Sequence, residues 1–382
     1  MCTGQDSIRR QQVFLSPLRT FYPEIPEFGR GIANFVCSWA LEPGQPRLAN
    51  REPPADRCRF LIRSRKPQSM EFTVLRTIAA ALAVVLPSLI MAQSASTPRP
   101  AITGISHITL YADDIPKSQE FYGALLGWDQ VPSGEAKPGV RFYANHSQYV
   151  ELESPPSPGL ADRLDLVAFS TSDAEALRKY LGANGVAVPQ TVTVEADGGR
   201  SFLVHDPEGN KVEFTQEGDH PPTEPASVSR SLSSHIIHAG YVVRNRAALD
   251  HFYKDLLGFH LYWQGGNPDD RVDWVMMQVP NGTDWFEYML NLPANPSLAQ
   301  LGSANHLAPG VVSVAQLQER LEARGWKPAP GKNPQVLGVD GKMQLDLTDP
   351  DGTRIEFMEY MPVQKPCCSP YTGTQPSPSA SW

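Results

Sequence analysis

"DLTDPDGTRIEFMEY", residues 346–360, repeats the pattern of "LVHDPEGNKVEFTQE", residues 203–217. Each stretch is an apolar strand, a D-P-x-G turn, and a second strand carrying one glutamate between apolar neighbours. Proline at the second turn position and glycine at the fourth suit a type I turn, so local chemistry predicts a hairpin in both places. Strand alternation points Glu213 and Glu356 away from Val212 and Phe214, and from Ile355 and Phe357. A single strand glutamate facing solvent needs no explanation, but the same one written twice at the same spacing calls for a search along the whole chain.

The repeat extends to the rest of the chain. "ISHITLYADDIPKSQEFYGALLGW" (105–128) aligns with "IIHAGYVVRNRAALDHFYKDLLGF" (236–259), setting His107 on His238, Phe121-Tyr122 on Phe252-Tyr253 and Leu126-Gly127 on Leu257-Gly258. Each reads as a strand followed by a helix that ends at glycine. Two strands follow in each copy, "VRFYAN" and "YVELES" in the first, "WVMMQV" and "WFEYML" in the second. A further strand and helix open the second halves, with Leu177, Leu181 and Gly185 matching Leu317, Leu321 and Gly325. The unit is therefore βαβββ, present four times, which predicts an α+β fold of two tandem domains, A over 103–217 and B over 234–361. Residues 218–233, rich in Pro and Ser, read as the linker, and 362–382 read as a disordered tail.

Composition narrows the function. Of the net charge of −8, residues 1–69 carry +5, from 11 Lys/Arg against 6 Asp/Glu, which leaves −13 on the remainder. An acidic body of this kind excludes a nucleic-acid surface. The five cysteines are Cys2, Cys37, Cys58, Cys367 and Cys368, none of them within 101–365. The repeats thus contain neither a disulfide framework nor a thiolate metal site, and a metal there needs His, Asp or Glu. Residues 70–96 read as a secretory signal with its own initiator, Arg76 preceding the apolar run Ile78–Ala92. The alternative is an uncleaved anchor over Val74–Ala92, just long enough to span. Export, periplasmic or extracellular, is the expectation. Residues 1–69 show no sustained periodicity and read as an unstructured upstream extension.

The motifs from Ile105 to Met361, above all "HITLYADDIPKSQEFYGALLGW", resemble those of the vicinal oxygen chelate superfamily, which includes glyoxalase I, extradiol ring-cleaving dioxygenases and bleomycin-resistance proteins. The resemblance implies that paired modules curl into a cup and that metal ligands come from the first and last strands of each module. Those positions hold His107, Glu151, Leu166 and Glu213 in domain A, and His238, Glu287, His306 and Glu356 in domain B. Domain B then offers a complete donor set and domain A lacks one histidine. In dimeric glyoxalases the cup forms between halves, a pairing that would instead set His107 and Glu151 with His306 and Glu356. His306 and Glu356 belong to both sets. Imidazole and carboxylate together suit one divalent Fe, Mn, Ni or Zn with open positions for substrate oxygens.

Three functions follow from the resemblance. The first is a metal-dependent lyase or isomerase of glyoxalase type, with Glu287 and Glu356 as metal ligands able to move a proton. The second is an Fe(II) extradiol dioxygenase on His238, His306 and Glu356, although Asp346 stands where the ring-cleaving pattern has tyrosine. The third is a metal-free binding module whose cup is lined by Tyr262, Trp263, Trp274, Trp285 and Tyr288. In every case the expected partner is a small molecule, on a monomer or homodimer, with a membrane contact only if the anchor stays uncleaved. His235, three residues before His238, is expected to face away from the cup, and His251 and His260 lie outside the ligand positions.

Overall fold

A computed structural model describes residues 98–133, 139–160, 162–195, 198–218 and 230–378. Expectations for 1–69 and for the signal or anchor at 70–96 fall outside the described residues. Among the described residues no helix is long and apolar enough to cross a membrane.

Four βαβββ modules are present, as the repeats predict. The first contains β1 (Ile102–Tyr111), α1 (Ile115–Gln119, continued as a π-helical turn over Glu120–Leu125), β2 (Asp129–Pro132), β3 (Gly139–Tyr143) and β4 (Tyr149–Glu153). The second contains β5 (Leu164–Thr171), α2 (Ala174–Ala183), β6 (Thr193–Val194), β7 (Arg200–His205) and β8 (Lys211–Gln216). Domain B repeats the order with β9 (Ile236–Val242), α3 (Arg246–Leu249, continued over Asp250–Leu256), β10 (His260–Gly265), β11 (Trp274–Gln278) and β12 (Trp285–Met289). A short helix α4 (Leu298–Ala304) leads into β13 (His306–Val311), α5 (Val314–Ala323), β14 (Gln335–Leu337), β15 (Met343–Thr348) and β16 (Arg354–Glu359).

Local chemistry sets the helix ends. Asp114 and Asn245 cap α1 and α3 by accepting from the backbone N–H of Lys117 and Ala248. Gly127 and Gly258 follow the helices at φ +77° and +78°, a conformation that costs glycine no Cβ clash.

Each domain is one eight-stranded mixed sheet, ordered β2-β3-β4-β1-β5-β8-β7-β6 and β10-β11-β12-β9-β13-β16-β15-β14. The two modules of a domain join through their first strands, β1 to β5 and β9 to β13, both antiparallel. The last strand of each module lies parallel beside its first, β12 on β9 and β16 on β13. Four neighbouring strands thus carry all four candidate ligand positions of one domain. One apolar face of each sheet packs into a common core that includes Phe169, Phe214, Phe286, Leu317 and Ile355. Burying side chains of this size contributes roughly 1.5–3 kcal/mol each.

The domains are tied by polar groups at matching places. Tyr122 of α1 donates to Asp349 Oδ2 in the D-P turn of domain B at 2.9 Å, and Tyr253 of α3 donates to Asp206 Oδ2 in that of domain A at 3.4 Å. The repeated Phe-Tyr pairs and D-P turns therefore meet at the domain junction. A second knot joins Asp284 to the Ile105 N–H (2.8 Å), to Gln148 Nε2 (3.3 Å) and to His235 Nε2 (2.7 Å).

One expectation is overturned. Residues 362–378 are not a disordered tail, because they dock on domain B through backbone and side-chain hydrogen bonds. Cys367 and Cys368 form a disulfide between adjacent residues within this segment.

Candidate metal centre

His238 on β9, Glu287 on β12, His306 on β13 and Glu356 on β16 converge on the inner face of domain B. One ligand atom from each lies within 4.8 Å of all the others, and all four residues are buried. His238 Nε2 stands 3.0 Å from His306 Nε2. Glu356 Oε2 is 3.3 Å from His238 Nε2 and 3.1 Å from His306 Nε2. Glu287 Oε2 is 3.3 Å from His306 Nε2 and 3.7 Å from His238 Nε2. Strand register produces the convergence: His306 pairs with Gly240, and Trp285, two residues before Glu287, pairs with His238.

Gly240 is a determinant that the repeat alignment does not reveal. A Cβ at this position would lie 2.3 Å from His306 Cε1, so the imidazole lies directly against the β9 backbone. The equivalent register pair in domain A is Thr109 with Leu166. The signal was the glycine in "HAGYV", where a strand interior otherwise disfavours it.

The ring orientations suit metal ligation. His306 Nδ1 is 2.7 Å from the Ala304 carbonyl, and an N–H there leaves Nε2 with its lone pair toward the cluster. His238 stacks on Trp285 with centroids 4.7 Å apart. Burial lowers the pKa of His238, which favours the neutral ligand form. Burial also opposes ionisation of Glu356, but the Arg354 guanidinium and the two histidines outweigh it and hold the carboxyl well below the usual range. Arg354 Nη1 lies 3.4 Å from Glu356 Oε1. Among the described residues, no Lys or Arg forms an ion pair with Glu287. Two buried carboxylates and two imidazoles whose Nε2 atoms face one another at contact distance are the donor set that a divalent cation neutralises, so the residues fit such an ion.

The alternative pairing is not what the structure brings together. His107 and Glu151 lie in the inner face of domain A, where His107 Nε2 meets Glu213 Oε2 at 3.2 Å. Arg141 Nε takes Glu151 Oε1 at 3.1 Å, and its guanidinium covers the Tyr149 ring at 4.8 Å. Arg141 occupies the cross-strand position opposite Glu151 that Met276 holds opposite Glu287. Domain A therefore differs in three ways: Leu166 for His306, Thr109 for Gly240, and Arg141 paired with Glu151 where Glu287 has no Lys or Arg partner among the described residues.

The other sequence candidates separate cleanly. His235 precedes β9 and bonds Asp284 and the Ser377 carbonyl (2.9 Å) outside the donor set. His251 is exposed beside Asp255, and His260 bonds Gln278 Oε1 at 3.0 Å. Tyr262, Trp263, Trp274 and Trp285 belong to an apolar cluster on the inner face, whereas Tyr288 sits in the common core. Asp346 pairs with Glu356 across β15 and β16, and its Oδ2 is 3.7 Å from Arg354 Nη1.

Residues 104–214 and 235–357, more than half of the chain, match the family described as the Glyoxalase/Bleomycin resistance protein/Dioxygenase superfamily. The chain belongs to this superfamily. A curated relative is virulence protein STM3117 of Salmonella typhimurium, 29% identical over 122 residues, which covers 30% of this chain and 85% of that protein. Among solved structures, the 2,3-dioxygenase LapB from Pseudomonas sp. KL28 superposes with a TM-score of 0.54 at 16% identity, over 74% of this chain and 97% of that one. The Mn(II)-bound glyoxalase from Novosphingobium aromaticivorans gives 0.52 at 20%, over 68% and 83%. Homoprotocatechuate 2,3-dioxygenase from Arthrobacter globiformis gives 0.51 at 19%, over 69% and 81%. At these identities the likeness is one of fold.

Proposed function

We propose that this member of the superfamily is a divalent-metal-dependent lyase or isomerase of glyoxalase type, acting on a small molecule that presents two neighbouring oxygens. The observation that carries the reading is the convergence of four donors, His238, Glu287, His306 and Glu356, on one buried point. A bound divalent ion would polarise the substrate oxygens and stabilise negative charge as a proton leaves the adjacent carbon. The two carboxylates divide the remaining work. Glu356, fixed by Arg354 and both histidines, offsets the charge of the ion. Glu287, 3.3 and 3.7 Å from the histidines, is the more loosely held carboxylate and the one assigned to take up and return the proton. Trp285, which stacks on His238, is fully buried beside the centre.

A second reading has its own observation. His238, His306 and Glu356 lie within 3.0–3.3 Å of one another, closer than Glu287 lies to His238, which is the two-histidine, one-carboxylate arrangement of an Fe(II) extradiol dioxygenase. The two readings part on one experiment with protein loaded with Mn(II) or Fe(II). Exchange of solvent deuterium into the carbon beside a carbonyl of α-hydroxyketone substrates, lost in Glu287→Gln, supports the isomerase. Oxygen uptake with catechols, retained in Glu287→Gln, replaces it with the dioxygenase.

A further inference from the structure

We propose that residues 362–378 are an intramolecular plug of the domain B cup, which must leave before a substrate can enter. The inference concerns access to the site rather than its chemistry. It rests on the metal reading only in treating this cup as the working one.

The segment is held on domain B at several separate places. It starts beside the loop before β15, where the Val363 N–H donates to the Gly341 carbonyl at 2.8 Å and the Cys367 N–H to the Val339 carbonyl at 2.9 Å. On the opposite side Trp263 Nε1 donates to the Cys367 carbonyl at 3.2 Å, and the Thr372 N–H to the Tyr262 carbonyl at 3.0 Å. It continues along β11, where Gln278 Nε2 donates to the Thr374 carbonyl at 2.8 Å, and reaches His235 through the Ser377 carbonyl. Strands from both halves of the sheet are bridged.

A line of side chains runs from the plug to the donor set. Tyr371 packs on Tyr262 with ring centroids 4.7 Å apart, and its hydroxyl donates to Asp340 Oδ2 at 2.9 Å. Lys342 Nζ lies 5.3 Å from both the Tyr371 and Trp285 rings. Trp285 in turn stacks on His238. The tyrosine ring therefore fills space one layer above the ligands. The sequence is also cut to admit the segment. A Cβ on Gly373 would stand 2.0 Å from Gln278 Oε1, and one on Gly341, at φ +85°, would stand 2.3 Å from the Gln364 carbonyl oxygen. Domain A offers the comparison within the same chain. Its inner face opens as a cavity of about 250 Å³ lined by His107, Arg141, Tyr149, Glu151 and Glu213. Tyr149 is partly exposed there, whereas its counterpart Trp285 is fully buried.

The test uses the full chain, stripped of metal, as wild type, Gly373→Val and Tyr371→Ala. Both changes lie in the plug, outside β9 to β16. The probe is diethyl pyrocarbonate, with modification mapped to each histidine and exposed His251 as the reference. His238 and His306 are expected to label at least tenfold faster, relative to His251, in both variants than in wild type. Amide exchange in the same samples is expected to show Cys367 and Thr372 protected in wild type and released in the variants, with β13 protected throughout. Equal labelling in all three proteins overturns the proposal, as does exchange at free-peptide rates across 363–374 in wild type. A wild type that binds no metal but labels as expected defeats the metal reading and leaves the plug standing.

Discussion

Glycine at position 240 and histidine at 306 are one determinant written at two places, since the imidazole occupies the volume that a side chain at 240 would need. Gly240→Ala places a methyl 2.3 Å from His306 Cε1, within a buried sheet that relaxes poorly. It should lower metal affinity at least tenfold and cost about 1–3 kcal/mol of stability, read by metal titration and urea unfolding. Unchanged affinity would mean that His306 is not held where the register puts it. Lys342 gives a second residue-scale prediction. Burial pushes its ammonium down to about 7 from the ordinary 10.5, against the pull of Asp340. Between those two values the unfolded chain holds a proton that the folded protein lacks, so stability rises with pH across the window. The penalty is full below 7 and gone above 10.5, while the titration of Asp340 near 6 lies beneath the window. Lys342→Met should remove this slope, so the stability of wild type relative to the variant climbs from pH 7.5 to 9.5. Parallel curves would count against a buried, neutral Lys342.

Secondary-structure elements carry the site because the first strand of each module sits between its own last strand and the first strand of its neighbour. This arrangement explains what was legible in the sequence. The D-P-x-G hairpins fixed Glu213 and Glu356 at equivalent positions, and the resemblance of the opening motif supplied the remaining ligand places. Which modules share a cup was not legible, because antiparallel pairing of β9 with β13 is a long-range choice that no local pattern encodes. Docking of 362–378 was hidden for a different reason. A segment rich in Pro, Ser and Thr has no periodicity, and its order comes from main-chain bonds to β10 and the loop before β15 and from the Gln278 side chain of β11. The repeated Phe-Tyr pairs belong at this scale too, tying each first helix to the D-P turn of the other domain. Tyr122→Phe removes a buried bond to a carboxylate and should cost about 1.5–3 kcal/mol in urea unfolding, with metal content unaltered. Tyr253→Phe, whose bond is longer, should cost less. A larger loss in Tyr253→Phe would contradict this account of the junction.

The described residues form two cups of one design, and among them only the cup of domain B has a full set of donors. Domain A keeps His107, Glu151 and Glu213 but closes them on themselves and on Arg141, which pairs with Glu151 where no Lys or Arg among the described residues pairs with Glu287. Export belongs to the proposal at this scale, motivated by Arg76 and the apolar run Ile78–Ala92. Intact mass of the secreted protein should place its first residue within 93–96, and a mature chain retaining Met70–Ala92 would favour the anchor. The most direct test of the account is metal content after equilibration with Mn(II) and gel filtration, on the full chain as wild type, His306→Ala and His107→Ala. The predicted result is one ion per chain in wild type and in His107→Ala, with affinity lowered at least tenfold, about 1.4 kcal/mol, in His306→Ala. Equal metal content in wild type and His306→Ala, or none in either, would contradict it.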